Sequence, residues 1–242
     1  MDRMIGILGG MGPKASQLFY DMVTEMTDAD KDQDHVRMMI YSDPSIPDRT
    51  QAILRGEYDQ VYEKMLKNAL TLEAAGCEAI GITCNTAHFF AEMIADKLNI
   101  PIIHMIAHTV FHIKRRNPGA KIAILATEGT IKTQLYQRQM EQGGLIPYVL
   151  APEIQELVSY QIYDRIKKGL DWDEAAWGTI EDVIKKEGCQ GAIMGCTELS
   201  VIKAENGLSD YYIDPMEVLA GEVIRFSGKK EKNKVKIGTN RL

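Results

Sequence analysis

Along the chain, short apolar runs rich in Ile and Val, bounded by Gly, Pro and Asp, alternate with longer stretches whose apolar residues recur every three or four positions. The short runs read as buried strands and the longer ones as amphipathic helices. Their alternation predicts a parallel sheet with crossover helices. The pattern places strands at roughly 4–9, 36–42, 78–83 and 101–105, then at roughly 121–127, 146–151, 191–195 and 210–214. Helices are predicted over roughly 13–28, 56–75, 86–97, 130–142, 153–168, 173–187 and 215–227.

The second half repeats the first. GCEAIGITCNT (Gly76 to Thr86) lines up with GCQGAIMGCTE (Gly188 to Glu198), and MIGILGGMGP (Met4 to Pro13) with KIAILATEGT (Lys121 to Thr130). The predicted fold is therefore α/β, with two pseudo-symmetric lobes, each a mainly parallel four-stranded sheet flanked by helices. Residues 1–106 with 215–228 form one lobe, 107–214 the other, and 229–242 a lysine-rich, solvated tail. In open α/β sheets ligands sit outside the carboxyl ends of the strands. Two facing copies put Cys84 and Cys196 on opposite walls of one cleft.

Each of these cysteines ends an apolar run at a strand-to-helix junction, where helix amides stabilise a thiolate. Asn85 and Thr86 follow the first, Thr197 and Glu198 the second, and these polar groups suit a carboxylate, which only accepts hydrogen bonds. Buried cysteine is a common small core residue, and Cys77 and Cys189, which begin their strands, read that way. The repeated Cys-polar-polar pattern points instead to chemistry. Two thiols across a cleft suit removal of a proton from one face of a carbon and return to the other, which inverts an α-carbon.

The loops add candidates. GILGGMGPKAS (Gly6 to Ser16) formally fits G-x-G-x-x-A after a strand, yet no acidic residue follows at the spacing of a dinucleotide site. It reads as an anion cradle around Met11 and Gly12, and no NAD is expected. Arg49 of PDRT is either a carboxylate clamp or a surface arginine. Lys167 or Lys168 either adds positive charge to the cleft or answers a helix C-terminus. His88, one turn after Cys84, tunes that thiol or hydrogen-bonds within the core. His104, His108 and His112 recur every four residues, but a strand over Pro101 to Met105 breaks their common face, so no metal is expected.

Composition narrows the classes. The 242 residues carry 26% charged side chains and a formal charge of -6, with no basic face for nucleic acid. No charged leader or membrane-length apolar stretch is seen, so a cytoplasmic protein is expected, with no membrane partner. Its four cysteines lack Cys-x-x-Cys spacing and are expected to be reduced.

GILGGMGP, PDRT, TCNTAH and GCTEL, in this order and at these separations, resemble the PLP-independent aspartate/glutamate racemase superfamily, most closely its aspartate racemase branch. The resemblance covers about residues 4–226. It implies cofactor-free racemisation of a small dicarboxylic amino acid, aspartate with glutamate or a wider range, in a cleft between the lobes of a homodimer. It implies that Cys84 and Cys196 are the acid/base thiols, Cys196 serving the L-substrate and Cys84 the D-form. Asn85, Thr86 and Thr197 would hold the α-carboxylate with amides around Met11 and Gly12, Arg49 the side-chain carboxylate, and Lys167 would match a family lysine. Hydantoin racemase and maleate isomerase are similar proteins and leave another substrate open. A redox or binding module using the thiols without turnover is the alternative from a different class.

Overall fold

A computed structural model describes residues 2–232, and its strands form two four-stranded parallel sheets. The first has the order β2-β1-β3-β4, from Arg37–Ser42 (β2), Met4–Gly9 (β1), Ala79–Ile82 (β3) and Ile102–Ile103 (β4). The second repeats it as β6-β5-β7-β8, from Ile146–Tyr148 (β6), Lys121–Ala126 (β5), Gly191–Gly195 (β7) and Tyr212–Ile213 (β8).

The central strands are apolar, save for Lys121 at the start of β5, because both their faces are covered. Leu8 of β1 packs with the layer of helices Asp59–Ala74 (α3) and His88–Ala95 (α4). Ile5 and Ile7 face Pro13–Met26 (α1) and Pro215–Ser227 (α11). In the second sheet Ile122 and Ile124 of β5 pack with Met105–Arg116 (α5) and Leu135–Gln142 (α7). Leu125 faces Pro152–Ser159 (α8), Glu174–Lys186 (α9) and Thr197–Asn206 (α10). Helix α5 joins the two layers: Met105 enters the first core, whereas Ile106, Val110 and Ile113 enter the second.

Several elements differ from expectation. Arg49–Arg55 (α2) and α5 are helices that the pattern did not predict, and α10 is the helix expected after Cys196 but given no range. The helix expected over 130–142 is two, Glu128–Lys132 (α6) and α7, separated at Gln134, which is left-handed at φ 56°. Past α8 the chain widens into a π turn, Tyr160–Arg165, and then tightens into a 3₁₀ turn, Ile166–Lys168. β4 and β8 each keep two residues. Lys229 to Lys232 are not a solvated tail: Glu231 bridges Thr27, Lys232 N–H donates to Met26 O at 2.7 Å, and Arg225 pairs with Glu231. The remainder of the expected tail lies outside the described residues. Among the described residues no helix is long and apolar enough to cross a membrane.

Candidate active site

Because all eight strands run parallel within their sheets, the loops at their carboxyl ends gather on one side of each sheet, and these loops meet in one pocket. Met11 follows β1, Arg49 opens α2, and Cys84, Asn85 and Thr86 follow β3. From the second sheet come Lys167, beyond β6, and Cys196 and Thr197, which follow β7. Eight of the nine sequence candidates therefore line the same walls. Gly12 is not a wall residue, but a Cβ there would stand 3.7 Å from Glu198 Oε1 at the pocket's edge.

The two sulfurs have unlike surroundings. Cys196 is the N-cap of α10, and its Sγ–H donates to Glu198 Oε2 at 2.9 Å. Burial pushes its thiol well above the ordinary range; Glu198 pushes the same way and Lys167 opposes. Cys84 stands short of a helix: β3 stops at Ile82, a tight turn carries residues 85–87, and α4 starts at His88. The expected helix start is thus displaced by three residues, with Ala87 as N-cap, and the neighbouring cation is Arg49. That guanidinium is nearly buried and donates to the carbonyls of Ile46, Pro47 and Met11. Burial works against its charge, but Cys84, Asp48 and Glu198 outweigh it and raise its pKa. The surface-arginine alternative is excluded.

Lys167, not Lys168, faces the pocket. Lys168 is exposed and pairs with Asp164 at 2.7 Å, whereas Lys167 Nζ lies 3.7 Å from Glu198 Oε1 and 3.9 Å from Asp48 Oδ2. Burial disfavours its charge, and Glu198, Cys196 and Asp48 more than compensate, so its pKa is raised. Its ammonium also sits 4.9 Å from the centre of the Tyr163 ring, within cation–π range. A site with two cations, two carboxylates and two thiols is the outcome.

Hydroxyls and a histidine hold the Cys84 turn. Thr86 Oγ1 is 3.0 Å from Thr127 Oγ1 and 2.9 Å from Thr130 Oγ1, which ties the turn to the second sheet. His88 Nε2 accepts from Met105 N–H at 3.2 Å, so the ring proton sits on Nδ1 and is donated to Cys84 O at 2.8 Å. Burial, with His104 adding, lowers His88 to about 3. It is a neutral brace, in keeping with its core alternative. His104 caps α5 and His108 faces Glu222 at 3.4 Å. Among the described residues no group of His, Cys, Asp and Glu has metal-site geometry.

The sequence matches the family model for Asp/Glu/hydantoin racemases over residues 8–223. The chain belongs to the Asp/Glu/hydantoin racemase family. It is 31% identical over 205 residues to the broad specificity amino-acid racemase RacX of Bacillus subtilis, covering 82% of this chain and 87% of that protein. Picrophilus torridus aspartate racemase has the same fold at TM-score 0.78 and 30% identity, covering 95% of this chain and 96% of that one. An aspartate racemase homologue from Pyrococcus horikoshii, 24% identical and covering 94% of this chain and all of that one (100%), shares the fold at TM-score 0.75.

Four further wall residues of this family member escaped selection from sequence, Asp48, Thr50, Thr127 and Tyr163, whereas Glu198, read there as suited to a carboxylate, is itself an acceptor that takes the Cys196 proton donor and faces Lys167. Some had signals. The internal repeat aligns Thr127 with Gly10 of the first loop, and Tyr163 precedes Lys167 by one helical turn. Asp48 and Thr50 flank Arg49 in the PDRT motif, but the short helix they open was read as a loop, so their side chains were not placed.

Proposed function

We propose that the protein interconverts L- and D-aspartate without a cofactor, in the cytoplasm and as a homodimer, with Cys84 and Cys196 as the two acid/base groups. The observation that carries this reading is that both sulfurs open onto one pocket with Arg49 and Lys167. The Arg49 guanidinium stands beside Cys84, and Cys196 Sγ–H donates to Glu198 Oε2. One thiolate and one thiol is the protonation state that a two-base reaction needs.

In the reaction the thiolate takes the α-proton, and the electron pair left on carbon spreads into the adjacent carboxylate. The opposite thiol then delivers its proton to the other face. Thiol and thiolate have exchanged places, and no net proton is gained or lost. Asn85, Thr197 and the backbone around Met11 and Gly12 receive the α-carboxylate, Thr86 backs that wall, and Arg49 and Lys167 receive the side-chain carboxylate.

L-Aspartate incubated with the protein in deuterated water should acquire α-deuterium and yield D-aspartate. Neither signal appearing would end this reading. Cys84→Ala and Cys196→Ala should each abolish racemisation, and each should exchange the α-proton of at most one enantiomer, because only one base remains. Light scattering of the purified protein checks the dimer; a monomeric mass removes that part.

A second substrate range has its own support. Asp48 and Glu198 put two carboxylates around Lys167, where a basic side chain would also find partners, and the relative from Bacillus subtilis is named for broad specificity. Faster α-proton exchange in lysine or arginine than in aspartate would favour it.

A further inference from the structure

We infer that Tyr136, on α7 of the second sheet's helical layer, is the positioning residue that turns the Asn85 amide toward the substrate carboxylate. The inference rests on the proposed carboxylate-binding role of Asn85. It starts from an orphan: Asn85 is 2% exposed and lines the pocket, yet its Nδ2 is buried without a hydrogen-bond partner among the described residues. A buried amide nitrogen left with two unused protons is costly unless an acceptor arrives. The pocket is where that acceptor would come from, and a carboxylate offers nothing but acceptors.

The other end of the same planar amide is fixed. Tyr136 Oη–H donates to Asn85 Oδ1 at 2.5 Å. A side-chain amide carries its oxygen and nitrogen on opposite sides of one carbon, so pinning the oxygen aims the nitrogen. Were the amide reversed, Oδ1 would face the substrate's negative oxygens. The phenol proton favours the productive orientation, and burial raises the Tyr136 pKa well above its ordinary value, so the donor is retained.

Tyr136 is itself immobilised. It is fully buried in the core cluster that holds Ile106, Val110, Ile124 and Met140. A Cβ on Gly195 would come within 3.4 Å of its Cε2, so the ring lies against the residue before Cys196 while its hydroxyl reaches the residue after Cys84. One rigid side chain thus touches both chain segments that carry the reactive sulfurs.

A double-mutant cycle tests this. Succinate, a dicarboxylate with no stereocentre to invert, is titrated calorimetrically into the wild type, Tyr136→Phe, Asn85→Ala and the double variant, with α-proton exchange of aspartate followed in parallel. Tyr136→Phe keeps the ring and its packing, and a thermal melt verifies that the fold persists. The expected result is a succinate Kd raised about tenfold by Tyr136→Phe when Asn85 is present, and unchanged within about twofold when Asn85 is Ala. An equal loss in both backgrounds, or no loss in either, overturns the inference, since a merely structural tyrosine does not couple to Asn85. A wild type that binds no succinate overturns it as well. Succinate binding with the expected coupling but no α-proton exchange would refute the racemase reading and leave this one standing.

Discussion

At the scale of single residues, the site is a set of buried charges whose effects on one another have signs that can be tested. Glu198 adds to burial in holding the Cys196 thiol high. Glu198→Gln removes that charge, so in the proposed reaction the pH limb set by Cys196 as a base should move to lower pH in an α-proton exchange profile. Two buried groups away from the sulfurs set a different pH dependence. Burial, reinforced by Glu217, raises Asp214 from 3.8 to about 6; its proton is held more tightly in the fold, so its contribution is present below 3.8 and is lost as pH rises through 6. His88, lowered from 6.5 to about 3, contributes above 6.5 and loses that contribution as pH falls. Between about pH 4 and 6 the two slopes, each at most about 1.4 kcal/mol per pH unit, oppose. Relative to the wild type, Asp214→Asn should lose unfolding free energy as pH drops through this window, whereas His88→Gln should gain it; urea titrations at several pH values would read both. The cysteine pair was legible in the sequence because the repeat marked it twice, but the reason the sulfurs differ was not, since it depends on which side chains fold back on each.

At the scale of elements, the sequence pattern missed α2, which is short, and α5, which begins at Met105 where the pattern ended a strand, and it set no range for α10, which buries polar residues. α2 is seven residues long and begins with Arg49 and Thr50, both buried polar residues that break any apolar stripe. α10 buries Thr197, Glu198, Ser200 and Lys203 along with its apolar residues, so it carries no amphipathic period. The central strands were legible because burial of both sheet faces demands apolar runs, and the long helices because one buried face gives an apolar residue every three or four positions. α2 and α6 meet closely: a Cβ on Gly129 would lie 2.9 Å from Thr50 Cα. Gly129→Ala should therefore force these helices apart and destabilise the protein by about 1–3 kcal/mol, with turnover falling because Arg49 shares α2. Gly178, inside α9 with open space around it, provides the contrast: Gly178→Ala should stabilise by about 0.5–1 kcal/mol. Denaturant midpoints of the two variants should move in opposite directions.

At the scale of the whole molecule, the strand orders β2-β1-β3-β4 and β6-β5-β7-β8 are the same arrangement used twice, and the repeat foretold this before any contact was known. What could not be read was how the copies are tied, by Thr86 to Thr127 and Thr130 and by Asn85 to Tyr136. The duplication is not carried through to the charges, since Arg49 attends one sulfur and Glu198 the other. That unevenness meets a thermodynamic limit. Mirror-image amino acids have identical free energies in an achiral solvent, so detailed balance forces kcat/KM for the two enantiomers to be equal whatever surrounds the sulfurs. Any lopsidedness in the pocket is confined to how tightly each enantiomer is held and how fast it is released, with the one offsetting the other.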